Sequence, residues 1–272
     1  MYKVYTYQTD YNETGKTSWE IVNEFQAVGD DSIDEIHDLR DEYNADVCFL
    51  VTNSSSVTGI AFKIDNVSAS DAFAIGNYDY IRDNRTFAHE IGHLQGARHN
   101  IEADPNGTYN HGYLYTPGNW RTIMSYRSQV GNEVRRNFWS NPNQTWGDVA
   151  RGVTDESDNT RKLNNTRNSV SSFYSFQLSG TLSKNQSFAG RTFDLMGDLI
   201  VPSGITLKIE STASLNLNGY NIRCTGSGLI IKNGDVIGYT NFAKYGNDYK
   251  GFFPSSVSIA QILAWSSSGW NI

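Results

Sequence analysis

Cysteine is nearly absent from this chain. Cys48 and Cys224 are the only two in 272 residues, so a framework of disulfide staples is excluded. Cys48 lies in "ADVCFLV", which reads as a buried strand, and its expected role is that of a small apolar side chain. A bridge to Cys224 is not expected, because the two fall in different modules. Long apolar runs are also missing, and no stretch approaches the ~18 residues needed to cross a bilayer. Runs of positive charge are missing too. Lys and Arg number 22 against 29 Asp and Glu, for a formal net charge of −7. With no basic-aromatic stripe either, nucleic acid is not an expected partner. The opening "MYKVYTYQTD" lacks a basic start, an apolar stretch and a cleavage site, so a signal peptide is expected to be missing or already removed. Histidine is scarce, at five residues, which gives weight to its positions.

Hydrophobic residues make up 38% and aromatics 13%, enough for a sizeable core without staples. Asn, Ser, Thr and Tyr are abundant, a surface style that suits a secreted protein. Residues 2–7 alternate like a strand. "SIDEIHDLRDEY" places Ile33, Ile36 and Leu39 on one helical face, with Ser32 as the expected N-cap. "ADVCFLVT" reads as a strand in a sheet covered on both sides, and "VTGIAF" as a second strand containing a glycine. From about residue 100 to 153 the chain is dense in Gly, Asn, Pro and aromatics, which implies loop-built structure. A last helix is expected in "DESDNTRKLNNTRNSVSSFYSF", capped by Asp155 or Ser157, with Leu163, Val170, Phe173 and Tyr174 on one face. After about residue 177, strict alternation punctuated by Gly turns every 8 to 12 residues implies a β-sandwich or a stack of solenoid rungs. That segment contains no histidine. The expected division is therefore 1–176 and 177–272, the second part an all-β accessory module that folds independently.

The chemistry concentrates in "AHEIGHLQGARHN", residues 88–100. In a helix, positions i and i+4 lie one above the other, so His89 and His93 present two imidazoles to one point. A helix continued six residues further would turn through about 600° and climb ~9 Å, carrying His99 away from that point. His99 can join only if the helix stops. Gly96 is the residue best able to take the left-handed conformation that stops it. Three neutral imidazoles leave a fourth tetrahedral position open, the pattern of a catalytic zinc. Glu90, about 100° around the helix from His89, is placed to take a proton from a zinc-bound water. His37 and His111 show no partner pattern and are expected in ordinary surface or packing roles.

These residues resemble the signature of the metzincin zinc endopeptidases, HExxHxxGxxH followed by a methionine-bearing turn. That turn corresponds to "RTIMSY", where the resemblance makes Met124 an apolar floor beneath the zinc and not a ligand. "YQTDYNETG", "IHDLRDEYNADVCFLV", "FAHEIGHLQGARHN", "HGY", "RTIMSY", "WSNPNQTWGD" and "DNTRKLNNT" are similar, in that order, to landmarks of the reprolysin-like branch. The likeness is greatest to bacterial secreted enzymes of the peptidyl-Asp metalloendopeptidase type, and covers about residues 1–176. The resemblance implies an α+β catalytic domain: a twisted sheet with helices on one side of a cleft, and a loop-rich lower half on the other. Metzincin domains normally open with a further strand and long helix, so the chain is expected to start late. Tyr126, two residues after Met124, departs from the proline of animal reprolysins. It looks like the tyrosine of astacins and serralysins that contacts zinc or steadies the oxyanion, with a plain core tyrosine as the competing reading. Arg121 and Arg127 flank the turn and, with the family resemblance, imply a preference for an acidic residue just after the scissile bond.

The expected function is a secreted, zinc-dependent endopeptidase acting on proteins or peptides. His89, His93 and His99 would hold Zn2+, Glu90 would be the general base and Tyr126 a further catalytic residue. "VTGIAF" would be the edge strand that pairs with extended substrate. The alternative is a secreted adhesive or binding protein with a structural or vestigial metal site, and Glu90 discriminates between them, since a structural site has no need of that carboxylate. The ligand of the β-module is not legible in the sequence.

Overall fold

A computed structural model describes residues 3–53, 56–174, 176–245 and 247–262. The chain forms two compact units. The unit carrying the histidine signature comprises Thr9–Glu35 and Asp46–Tyr174; the other comprises Met1–Gln8, Ile36–Ala45 and Ser175–Ile272.

In the first unit, helix α1 (Ser18–Gln26) starts at a capping box, in which the Thr17 side chain accepts from Glu20 N and the Glu20 carboxylate accepts from Thr17 N. Its apolar stripe of Ile21, Val22 and Phe25 is buried. Helix α2 (Glu35–Tyr43) leaves this unit for the other after its first residue. Three strands follow: β1 (Cys48–Thr52), β2 (Gly59–Ala61) and β3 (Phe73–Asn77). They are ordered β1-β3-β2, with β1 parallel and β2 antiparallel to the central β3. β3 is buried at every position, as a central strand covered on both faces must be. β2 forms the edge of this sheet. Helix α3 (Thr86–Leu94) lays Ile91 and Leu94 against Ala74 of β3, with Val47, Phe49 and Ala61 around them. Beyond α3 the chain is built of loops and short strands, with three-stranded β4-β5-β6 (Leu114–Tyr115, Trp120–Arg121, Val134–Arg135) and the hairpin β7-β8 (Asn141–Trp146, Val149–Arg151). Helix α4 (Asn159–Val170) closes the unit.

Several local expectations shift. α2 begins at Glu35 rather than after Ser32, because Ile33 sits in the left-handed region at φ 67. The Asp34 carboxylate accepts from Gly29 N and Asp31 N, tying up a turn ahead of the helix. α4 is capped by Asp158, whose side chain accepts from Arg161 N at 3.0 Å, so Asp155 and Ser157 lie outside it. Phe173 and Tyr174 follow its last residue. Residues 3–7 form no strand; Tyr5 instead stacks on Tyr43 at 4.1 Å between centroids, so the alternation serves aromatic packing and not a ladder.

In the second unit the strands repeat as parallel ladders. Phe188, Ile209 and Lys232 stand in register through strands Gln186–Phe188, Thr206–Ile209 and Leu229–Lys232. Leu215 stands between Phe193 and Val236 in a second ladder, and Leu199 beside Ile222 in a third. The apolar side chains among these belong to one buried cluster. Parallel in-register pairing of this kind is that of stacked rungs and not of a sandwich. A hairpin of Asn241–Tyr245 and Asp248–Phe253 pairs antiparallel onto two of the ladders. The unit also contains α2, so it is not all β. Glu42 of α2 pairs with Lys208 at 3.0 Å and accepts from Ser187 Oγ, while Tyr43 donates to Glu210 at 3.3 Å. Cys48 and Cys224 are both buried and form no disulfide. Among the described residues, no helix is long and apolar enough to cross a membrane.

Candidate metal centre

The end of α3 builds the centre. Gly96 adopts φ +84, Gly96 N donates to His93 O and Ala97 N donates to Gly92 O, at 2.8 and 2.9 Å. This pair of bonds is a Schellman motif, which satisfies two terminal carbonyls while turning the chain out of the helix. The turn brings His99 back. Its Nε2 lies 3.1 Å from the Nε2 of both His89 and His93, and the three ligand atoms fall within 4.8 Å of one another.

Backbone carbonyls orient two of the rings. His89 Nδ1 is 2.9 Å from Ile123 O and His93 Nδ1 is 2.8 Å from Ala97 O. A carbonyl only accepts, so in the neutral rings each Nδ1 carries the proton and each Nε2 offers a lone pair. Two lone pairs and the His99 Nε2 thus converge on one point, where a cation between them would be held by all three rings. Nitrogens bonded at 2.0–2.1 Å to a tetrahedral ion stand about 3.3 Å apart, close to the observed spacing. The residues therefore fit a metal ion. Burial also favours the neutral imidazoles a metal requires: it lowers His93 to about 3, His99 to about 4, and His89 well below the usual range.

Glu90 is buried and does not join the ligand cluster. Burial pushes its carboxyl up to about 8, against the opposing pull of the Ala61 N–H on β2. Gly59 of β2 makes room for it, since a Cβ there would fall 2.7 Å from Glu90 Oε1. Met124 is fully buried with Ala97 and Ile123, beside Trp139. A Cβ on Gly92 would stand 2.8 Å from its sulfur, so the glycine between the first two histidines admits the methionine. The Tyr126 ring lies against His99 with centroids 3.9 Å apart, and its N–H donates to Asn100 Oδ1 at 2.8 Å. Tyr126 is 47% exposed, which does not fit a plain core tyrosine.

The two arginines flanking the turn part company. Arg121 is buried, donating to the carbonyls of Ser125 and Glu133, and burial lowers it to about 10. It braces the methionine turn. Arg127 is exposed. His111, expected in an ordinary surface or packing role, is buried directly behind His99, its Nδ1 3.0 Å from His99 O. Its spacing from His99 follows no helix or strand period, so the sequence carried no signal for that contact. Gly59 and Asn100 were likewise invisible, because each acts across the fold.

Three histidines from a helix and its turn, over a buried methionine, define a metallopeptidase-type centre. The chain belongs to metallo-peptidase family M12, whose reprolysin model matches residues 1–139. A peptidyl-Asp metalloendopeptidase of Stenotrophomonas maltophilia is 40% identical over 171 residues, covering 61% of this chain and 40% of that protein. One of Xanthomonas campestris is 42% identical over 169 residues, covering 61% and 39%. One of Pseudomonas fragi is 44% identical over 92 residues, covering 32% and 58%. The chain thus spans about two fifths of the length of the first two relatives. A solved chain from a chaperone–substrate complex aligns with a TM-score of 0.45 at 22% identity, covering 61% of this chain and 26% of that one.

Proposed function

We propose that this chain is a zinc-dependent endopeptidase that cleaves peptide bonds beside aspartate and works outside the cell. The observation that carries the reading is the convergence of three Nε2 atoms, on a helix whose next residue after the first ligand is a buried carboxylate outside the ligand set. A structural site has no use for that carboxylate. Family membership supports peptide hydrolysis, and the relatives' name supports aspartate. An Asn-, Ser- and Thr-rich surface supports an extracellular setting.

His89, His93 and His99 hold the ion. When bound, zinc supplies a Lewis acid and brings the pKa of a water to about 7. Glu90 accepts the proton of the attacking water and passes it to the departing amide nitrogen, as the C–N bond breaks and the new C–O bond forms. Its carboxyl, raised by burial, suits a group that must later donate, and the charge of a bound ion would favour the carboxylate needed at the start. Tyr126, against His99 and partly exposed, is placed to steady the developing oxyanion through its hydroxyl. The edge strand Gly59–Ala61 offers backbone groups to extended substrate. The rung-stacked unit is accessory to this chemistry.

The test is digestion of a mixed peptide pool by the purified, zinc-loaded chain, with and without chelator, read by mass spectrometry. Cleavage concentrated at aspartate and abolished by chelator is expected. Intact peptides in both samples would leave the adhesive or binding-protein reading in its place.

A further inference from the structure

Arg135, in β6, pairs in register with Arg121 of β5, yet the two side chains live differently. Arg121 spends its donors on backbone carbonyls. Arg135 donates from Nη1 to Asn84 O at 2.7 Å, while its Nε is buried without a partner. Among the described residues no carboxylate pairs with it. Glu133 is engaged instead by Ser128, whose hydroxyl donates to it at 2.7 Å. Nor does an aromatic ring cover it. Arg136 and Arg151, which also have a buried Nε without a partner, lie over Trp146 and Phe138. The guanidinium of Arg135 is thus largely desolvated, with no carboxylate bonded to it and no ring over it.

It is also close to the centre. Strand β6 is paired with β5, which runs directly into the methionine turn. The Arg135 charge is in range of His89, Glu90, His99 and Tyr126; Tyr126 and Glu90 attract it and Arg127 repels it. A half-buried cation in range of three histidines that could hold a metal ion, with a second arginine in range, favours an anion from outside. The guanidinium fork matches the two oxygens of a carboxylate, whereas an amide offers it one oxygen and a repelling NH₂.

We propose that Arg135 receives the side-chain carboxylate of the substrate aspartate and so sets the cleavage preference. The inference rests on the peptidase reading above and gives its specificity a residue. Arg121, locked beneath the methionine turn, has no such role.

The experiment uses the full zinc-loaded chain and two peptides that differ only by Asp or Asn after the scissile bond. The wild type should favour Asp. Arg135→Gln should lose about 10–100-fold in kcat/KM on the Asp peptide, the range for a hydrogen bond to a charged group. The Asn peptide should lose far less, so that the Asp-to-Asn ratio falls, with zinc content unchanged. Arg135→Met gives the same comparison where the Gln variant does not fold. An unchanged Asp-to-Asn ratio in a folded variant overturns the proposal. If the wild type cuts neither peptide, the peptidase reading fails by itself, and calorimetry still decides on Arg135. Peptides beginning with Asp should then bind the wild type more tightly than those beginning with Asn, and Arg135→Gln should erase the difference. Equal binding to the wild type overturns the assignment.

Discussion

A Cβ on residue 59 would fall 2.7 Å from the Oε1 of Glu90 and 2.5 Å from the Thr86 methyl carbon. Gly59 on the sheet edge and Glu90 on α3 thus occupy space that only one side chain can fill. Gly59→Ala should push Glu90 out of position without touching a ligand. Zinc content should stay near that of the wild type, while turnover falls by about 10²-fold, as a 1 Å misplacement of a reacting group can cause. Metal analysis beside steady-state kinetics checks this, and wild-type kcat in the alanine variant would sink the relationship.

Gly96 carries a different constraint. Its φ of +84 costs an L-residue roughly 1–2 kcal/mol, and a Cβ there would also collide with Lys162 and Asp65. Gly96→Ala should lower stability by at least that amount in urea and weaken zinc binding, since His99 follows the turn. A variant as stable as the wild type, with unaltered zinc affinity, would contradict the assigned role.

The buried imidazoles make acid stability a test. In the unfolded chain histidine binds its proton near pH 6.5, whereas the folded metal-free site does so at about 3 for His93 and about 4 for His99. Between these values the unfolded state holds more protons, so folding stability falls as pH drops from about 6.5 to 4. Glu90 works the other way: its folded pKa of about 8 lies above the unfolded value, adding stability as pH falls from 8. Urea titrations of metal-free Glu90→Gln remove that opposing contribution. They should show a steady loss of stability below pH 6.5, and a flat profile would mean that the triad is not desolvated.

Helix α2 ties the chain's early residues to its late ones. Glu42 and Tyr43 depend on Lys208 and Glu210 for their polar partners. A fragment of residues 1–176 should therefore show faster amide exchange across residues 36–45 than the full chain. Unchanged protection there would mean that α2 needs nothing from the rungs.

What the sequence made legible was local. Helical spacing placed His89 over His93, and one glycine explained how His99 returns, because both facts depend on residues within a few turns of one another. The role of Met124 came by resemblance and fits its burial beneath Gly92. Contacts made across the fold had no such signal. α2 reads as a polar amphipathic helix whichever unit it joins, and its membership was settled by residues more than 140 positions away. Arg121 and Arg127 looked alike beside the turn, and only burial separates the brace from the exposed charge. Arg135 attracted no notice, since an unpaired guanidinium is a property of its surroundings.

The most direct test of the account is Glu90→Gln set beside His93→Ala, each assayed for zinc content, fold and turnover. Glutamine keeps the size of Glu90 but cannot accept the water's proton. The account predicts about one zinc per chain and turnover reduced by ~10²–10⁴. His93→Ala should lose the metal along with the activity, because two imidazoles hold zinc far less well than three. A Glu90→Gln chain that cleaves peptides at the wild-type rate would contradict the account.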